Sequence, residues 1–183
     1  MHVYIYDNYY FSNKSGKKTS KTCITLEMKS YPDQIPEDTN KRLLFLRGFI
    51  GEPLSQSISP VGRWLNGKLI SIGVGYMSVQ FEVRKDMSNP MGVLHGGMAS
   101  TILDDVVGTM VYALGRELAY TSVNLNCDFL HAARVGDIIT AHSKVVRAGK
   151  NIIHVEGQIV GEDHKIIAKC SSNLVQTSFR IPD

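Results

Sequence analysis

The chain has 183 residues, 43% of them hydrophobic, and a formal charge of +3. That length fits one ordinary domain with room for an extension, and the apolar content is enough for a core. Runs such as Leu43 to Phe45 and Val106 to Val107 stop far short of the roughly 20 apolar residues a bilayer-crossing helix needs, so no membrane span is expected. The small charge excess is spread along the sequence, unlike the clustered basicity of a nucleic-acid binder, and nucleic acid is not an expected partner.

The first residues, Met1-His2-Val3-Tyr4, do not form a basic head leading into an apolar stretch with a small-residue cleavage site. A cytoplasmic location is therefore expected. Cys23, Cys127 and Cys170 are far apart and show no C-x-x-C pair, so they predict neither a disulfide framework nor a zinc knuckle and read as buried or incidental thiols.

Residues 1–37 are rich in Tyr, Lys, Ser and Asn and lack a helical or strand period, which predicts an N-terminal extension. The alternative expectation is that translation begins at Met28 within it and the preceding residues are a mis-called start. The domain proper is expected over residues 38–183. Leu43, Leu44, Leu46, Arg47 and Ile50 predict a short amphipathic helix with Asp38 or Thr39 as its N-cap, ended by Gly51 and Pro53. A loop through Pro60, Gly62 and Gly67 carries Trp64, the one tryptophan. The alternation of Val79, Phe81 and Val83 with Ser78, Gln80, Glu82 and Arg84 predicts one half-buried strand over Leu69 to Arg84.

From His95 to Leu114, the residues Met98, Ile102, Val106, Met110 and Leu114 recur every four positions, with Ala99, Leu103, Val107 and Val111 as a second stripe. A helix apolar around most of its circumference is normally buried, so this one is expected to be central and enclosed. Four strands follow, about Leu118–Leu130, Asp137–Ala148, Asn151–Val160 and Lys165–Arg180, separated by turn residues. In the first, Val123, Leu125, Cys127 and Phe129 alternate with Ser122, Asn124, Asn126 and Asp128. Short connections favour antiparallel neighbours, which predicts one strand, one long helix and then a four-strand meander.

The stretch Asn89-Pro90-Met91-Gly92-Val93-Leu94-His95-Gly96-Gly97 runs directly into that helix. Gly96 and Gly97 carry no side chain to block a ligand and stand where helical N–H groups have no intrahelical partner and the macrodipole is positive. Such a place suits a carbonyl oxygen that gains negative charge; two glycines can equally make a tight entry turn. Asp104 and Asp105 are the only acids between His95 and Leu114. Burying a carboxylate without partners is costly, so at least one of them is expected to have work to do. The nine-residue separation of His95 and Asp104 amounts to about 2.5 turns and roughly 13 Å of rise. A straight helix points them to opposite sides, so if both act on one substrate atom, two copies of the chain must share the site, and a symmetric dimer follows.

From Leu69 to Phe179 the sequence resembles the PaaI-like thioesterases of the hotdog superfamily. The match is strongest from Asn89 to Asp104, where the Asn, the His-Gly-Gly and an acid nine positions after the His all fit the family pattern. The resemblance implies an α+β hotdog fold, with a five- or six-stranded antiparallel sheet wrapped around the central helix, assembled as homodimers and often homotetramers. It implies an enzyme that hydrolyses an acyl- or aryl-CoA thioester. In that scheme the Gly96 N–H, with help from His95, polarises the thioester carbonyl. Asp104 of the neighbouring subunit activates water, Asn89 orients the turn or the water, Gly97 lines the substrate, and Ser122 holds the acid or the water. Some relatives carry Thr or Ser one turn after the acid, where this chain has Gly108, and Asp105 places a second carboxylate beside the first.

Arg147, Lys150 and Lys169 are candidates for coenzyme A phosphates, which favour Arg and Lys. His131, His142, His154 and His164 lack the spacing of a metal site, and neither a metal nor a cofactor is expected. No G-x-S-x-G elbow or Gly-rich phosphate loop occurs. The alternatives are a non-catalytic acyl-CoA sensor and a hotdog hydratase or dehydratase, which uses a different pairing of His and acid.

Overall fold

The computed structural model describes residues 36–181. The extension expected over residues 1–37, with Met28 and Cys23, lies outside the described residues but for its last two positions. Helix α1 spans Lys41–Arg47 and α2 spans Pro60–Leu65. Strands β1 (Lys68–Gly73) and β2 (Tyr76–Glu82) precede the long helix α3 (Gly96–Tyr112). Strands β3 (Leu118–Phe129), β4 (Ile138–Ala148), β5 (Ile152–Gly161) and β6 (Ile166–Arg180) follow it. The strands form one antiparallel sheet in the order β1-β2-β4-β5-β6-β3.

Helix α3 lies across one face of this sheet and buries Ala99, Ile102, Leu103, Val106, Val107, Met110 and Val111 against it. The sheet answers with Val79, Phe81, Ile139, Ala141, Ile153, Val155, Ile159, Ala168 and Leu174. Burying such side chains is worth roughly 1.5–3 kcal/mol each, which is why a helix with this sequence lies flat on a sheet of this one. The helix is not enclosed on every side, however. Gly97 and Asp104 are exposed and Thr101 and Gly108 half-buried, so one stripe of small and polar residues is left open along its length.

Five expectations are corrected. Leu69 to Arg84 is a hairpin, not one strand, because Gly75 turns at φ +76° and lets Tyr76 face Gly73 across the turn. The four later strands are not a meander. β3 pairs with β6 at the far edge of the sheet, and the segment between Phe129 and Ile138 crosses two strands before β4 begins. The loop carrying Trp64 contains α2, started by Pro60 at its first turn and by Ser59, whose side chain accepts the Gly62 N–H. The N-cap of α1 is Asn40, not Asp38 or Thr39; its side chain accepts the Leu43 N–H at 3.1 Å. The helix stops at Arg47, before Gly51 and Pro53.

The reason α1 docks where it does is chemical. The last carbonyls of a helix have no intrahelical donors, and two buried side chains at the start of α1 donate to the C-cap of α3 and to the segment just after it. The Asn40 amide donates to the Ala113 carbonyl (2.9 Å) and the Arg42 guanidinium to the Arg116 carbonyl (2.7 Å). Arg42 also donates to the Ile181 carbonyl (3.2 Å) and lies over the Tyr112 ring. Its positive charge sits at the negative end of α3, where a cation is favoured. Arg42→Met keeps the bulk and strips the donors, leaving a buried carbonyl unsatisfied. With hydrogen bonds to charged groups worth about 1.5–3 kcal/mol, the expected loss is about 3 kcal/mol. That lowers the melting midpoint by roughly 6–12 °C; an unmoved midpoint in a thermal melt would contradict the clamp.

Candidate active site

The turn that enters α3 is held from three directions. The Leu94 N–H donates to Ala133 O (2.7 Å), the His95 N–H to Met87 O (2.9 Å) and the Asn89 N–H to Val93 O (2.9 Å). The Asn89 carboxamide oxygen accepts the Met91 N–H at 2.9 Å, so this residue shapes the loop from within, as Asn does when it mimics a backbone turn. Gly92, at φ +73°, makes the bend that a side chain would resist.

His95 is the N-cap of α3, and its Nδ1 accepts the Gly97 N–H at 2.9 Å. An imidazole that accepts at Nδ1 holds its proton on Nε2, so the exposed edge of the ring is a donor. The Gly97 N–H is thereby occupied. The Gly96 N–H finds no acceptor among the described residues, at the positive end of a long helix. A Cβ on Gly96 would come 3.3 Å from the Phe129 ring, and one on Gly97 would come 3.1 Å from His95 Nδ1. A side chain at either glycine would make its neighbour give by a few tenths of an ångström.

Asp104 is exposed on the open stripe of α3, and Ser122 Oγ donates to its Oδ1 at 3.0 Å. Asp105, one residue on, faces a different partner. Burial pushes its carboxyl above the ordinary range, the Ser59 side chain opposes that by hydrogen bonding, and the charge on Asp104 adds to it. A Cβ on Gly62 would come 2.9 Å from an Asp105 oxygen, so this acid is packed against the start of α2. The two carboxylates are therefore separated by role: Asp105 ties α2 to α3, and Asp104 stands free at the surface with a hydroxyl beside it.

The pairing of Ser122 with Asp104 depends on a feature that strict alternation misses. A β-bulge lies between Ser122 and Asn124, and an extra residue reverses the phase of the faces. Ser122 thus shares the helix-facing side with Leu125, Cys127 and Phe129, and Val123 turns outward, 62% exposed. Phe129, which packs over Gly96, belongs to the site although the alternation alone assigned it only to an apolar face. Gly108 leaves open space one turn after Asp104: a Cβ there would meet nothing within 4 Å.

Within one chain the candidate residues fall into three groups, one of them the Asp104–Ser122 pair. His95, Gly96, Gly97 and Asn89 gather at the Phe129 end of β3. Arg147 and Lys150 are exposed near the other end, where the Lys150 carbonyl accepts from the Tyr120 hydroxyl. Lys169 is paired with Asp128 at 3.4 Å. His131 and His154 have hydrogen-bonded ring nitrogens, and His142, bonded to Ser78 at 2.8 Å, has its pKa lowered by burial. Among the described residues no cluster of His, Cys, Asp and Glu could hold a metal ion, and no helix is long and apolar enough to cross a membrane.

A long helix laid across a six-stranded antiparallel sheet, with the His-Gly-Gly turn at the helix start, defines a hotdog protein. The model of the Thioesterase superfamily matches residues 91–168, a span that holds His95, Gly96, Gly97, Asp104 and Ser122. Human acyl-coenzyme A thioesterase 13 is 29% identical over 86 residues, 46% of this chain and 60% of that protein. The chain thus spans about 60% of the length of the curated relatives it matches first. Among solved structures, PaaI of the E. coli phenylacetic acid degradation operon superposes with a TM-score of 0.67 at 20% identity, covering 78% of this chain and 99% of that one. A hypothetical thioesterase from Streptococcus pneumoniae TIGR4, crystallised with coenzyme A, gives 0.60 at 22% identity, covering 63% and 89%. These structures share the fold.

Proposed function

We propose that this chain is an acyl-CoA thioesterase that hydrolyses an acyl- or aryl-CoA thioester to the free acid and coenzyme A, at a site shared between two copies. The observation that carries the reading is the contrast between the two ends of α3. An unclaimed amide stands at its start, and an exposed carboxylate with a hydroxyl partner stands in its middle. In this scheme the Gly96 N–H and the Nε2–H of His95 receive the carbonyl oxygen. Asp104, held by Ser122, takes a proton from water as its oxygen bonds to the carbonyl carbon. The negative charge that develops on the carbonyl oxygen lies at the helix N-terminus, where the dipole favours it. As the intermediate collapses, the C–S bond breaks, and the proton held by Asp104 passes to the departing thiolate.

The same copy cannot supply both ends, since His95 and Asp104 are roughly 13 Å apart along the helix axis and turned to different sides. A second copy can. β3 is an edge strand of twelve residues with Val123 and Phe129 exposed, as is Leu130 just after it, and such edges invite pairing. A two-fold axis at the middle of β3 would pair the edges antiparallel and carry the Arg147 and Lys150 end of one copy toward the Gly96 end of the other. That is where coenzyme A phosphates would need cations. A homodimer, or a homotetramer built from it, is the assembly this reading requires, with residues 38–183 as the thioesterase domain. The free thiols of Cys127 and Cys170 suit the reducing conditions of the cytosol, where we place the reaction.

The test is free-thiol release from a panel of aryl-, short- and long-chain acyl-CoAs. Hydrolysis of at least one class supports the proposal and names the acyl group. Binding of acyl-CoA without any release would overturn it in favour of a sensor. A second expectation concerns the cap: Gly97→Ala pushes a methyl to 3.1 Å from His95 Nδ1, so the ring must give by a few tenths of an ångström and its hold on the Gly97 N–H is disturbed. A tenfold or greater fall in kcat is expected, equivalent to about 1.4 kcal/mol of transition-state stabilisation, with an unchanged melting midpoint. A wild-type kcat in this variant would remove His95 from the mechanism.

A further inference from the structure

Cys127 and Cys170 are 43 residues apart in sequence and directly opposite each other in space, as Cα partners on the neighbouring strands β3 and β6. Opposed residues of an antiparallel pair point to the same face with Cα atoms about 4.5–5.5 Å apart, inside the roughly 4.4–6.8 Å that a disulfide spans. Both thiols are free. They differ in reach, since Cys127 is half-buried at the groove between β3 and α3, whereas Cys170 is buried beneath it. The surroundings are those of the candidate site: Cys127 lies between Ser122, which holds Asp104, and Phe129, which covers Gly96.

We propose that Cys127 and Cys170 are a reversible modification site, closed to a cross-strand disulfide by a low-molecular-weight disulfide, and that closure throttles the site above them. The exposed member reacts first. The Cys127 thiolate attacks one sulfur of the small disulfide and bonds to it, giving a mixed disulfide on Cys127, while the other sulfur leaves as a thiolate that takes up a proton. The Cys170 sulfur then attacks the Cys127 sulfur, and the second half leaves as a thiol carrying the Cys170 proton. Two protein thiols are oxidised and one disulfide is reduced to two thiols. Burial, helped by charge on Cys127, pushes the Cys170 thiol up to about 12. Attack depends on the thiolate, so Cys170 does not start the exchange, and it reacts only with a sulfur already placed beside it. A covalent tie at this register fixes β3 against β6 between Ser122 and Phe129, and so changes how the two ends of the site are presented.

The experiment incubates the full chain with glutathione disulfide, maps linked peptides, and measures hydrolysis of an acyl-CoA substrate before and after dithiothreitol. The expected result is a Cys127–Cys170 linked peptide and a several-fold fall in rate, both reversed by the reductant. Cys170→Ser should stop at a mixed disulfide on Cys127, and Cys127→Ser should leave Cys170 unmodified. A mixed disulfide on Cys127 that never closes in the wild type would overturn the proposal, as would a closed disulfide with an unchanged rate. The throttling rests on the thioesterase reading, but the linked peptide does not: failure of that reading appears as no hydrolysis in the untreated protein, whatever the thiols do.

Discussion

Asp104→Asn is expected to lower kcat at least a hundredfold while leaving the fold intact, and Asp105→Asn to keep most of the wild-type rate. The first expectation follows from the role of a general base, whose removal typically costs about 10²–10⁴ in rate. Asp104 is exposed and its described partner is the Ser122 hydroxyl at 3.0 Å, which an Asn oxygen can still accept, so neither packing nor hydrogen bonding is sacrificed. Asp105 is the opposite case. Burial first, and the Asp104 charge after it, raise its pKa against the opposing Ser59 hydrogen bond. The folded protein therefore holds this proton more tightly than the unfolded chain does. The stability associated with that proton is fully present below the unfolded carboxylate pKa and is lost as the pH rises through the higher folded value. Above the raised folded value the charged Asp105 is thus a cost that Asp105→Asn removes, and a melting midpoint equal to or above wild type is expected there. Thiol release and thermal melts on the two variants decide the matter. Loss of activity in Asp105→Asn with retention in Asp104→Asn would exchange their roles.

Much of this was legible in the sequence, for reasons that can be named. Strong alternation and turn residues bounded β3 to β6 within a residue or two of their ends, and the four-residue recurrence from Met98 to Leu114 marked α3. The parts that were not legible are those that depend on partners far away in sequence. Nothing local says that β3 must pair with β6 at the far edge, or that the chain must then cross two strands to start β4 beside β2, because these pairings join segments far apart in sequence. The bulge at Val123 leaves an ordinary-looking alternating strand, yet it alone brings Ser122 to the side of Asp104. Strict period-two counting grouped Ser122 with Asn124, which faces away; the resemblance to known thioesterases, not the alternation, had singled out the serine. The choice between Asp104 and Asp105 was open for the same reason, since it depends on Ser59 and Gly62 in a helix that the loop-like run from Pro60 to Gly67 concealed. Asn40 took the capping place expected of Asp38 or Thr39 because it also reaches the end of α3.

The sharing of one site between two copies is tested most directly by mixing two inactive variants, Gly96→Val and Asp104→Asn. Each alone spoils both sites of its dimer, one by crowding the carbonyl end against Phe129, which a Cβ on Gly96 already approaches to 3.3 Å, the other by removing the base. In a mixed dimer one site collects both defects and the other receives the intact Gly96 of one copy and the intact Asp104 of the other. Random re-association makes half of the dimers mixed, each with one working site, so thiol release should return to about a quarter of the wild-type rate. Activity that stays at the level of the separate variants, in a sample shown to contain mixed dimers, would contradict a shared site and would require the amide and the carboxylate to act from one chain.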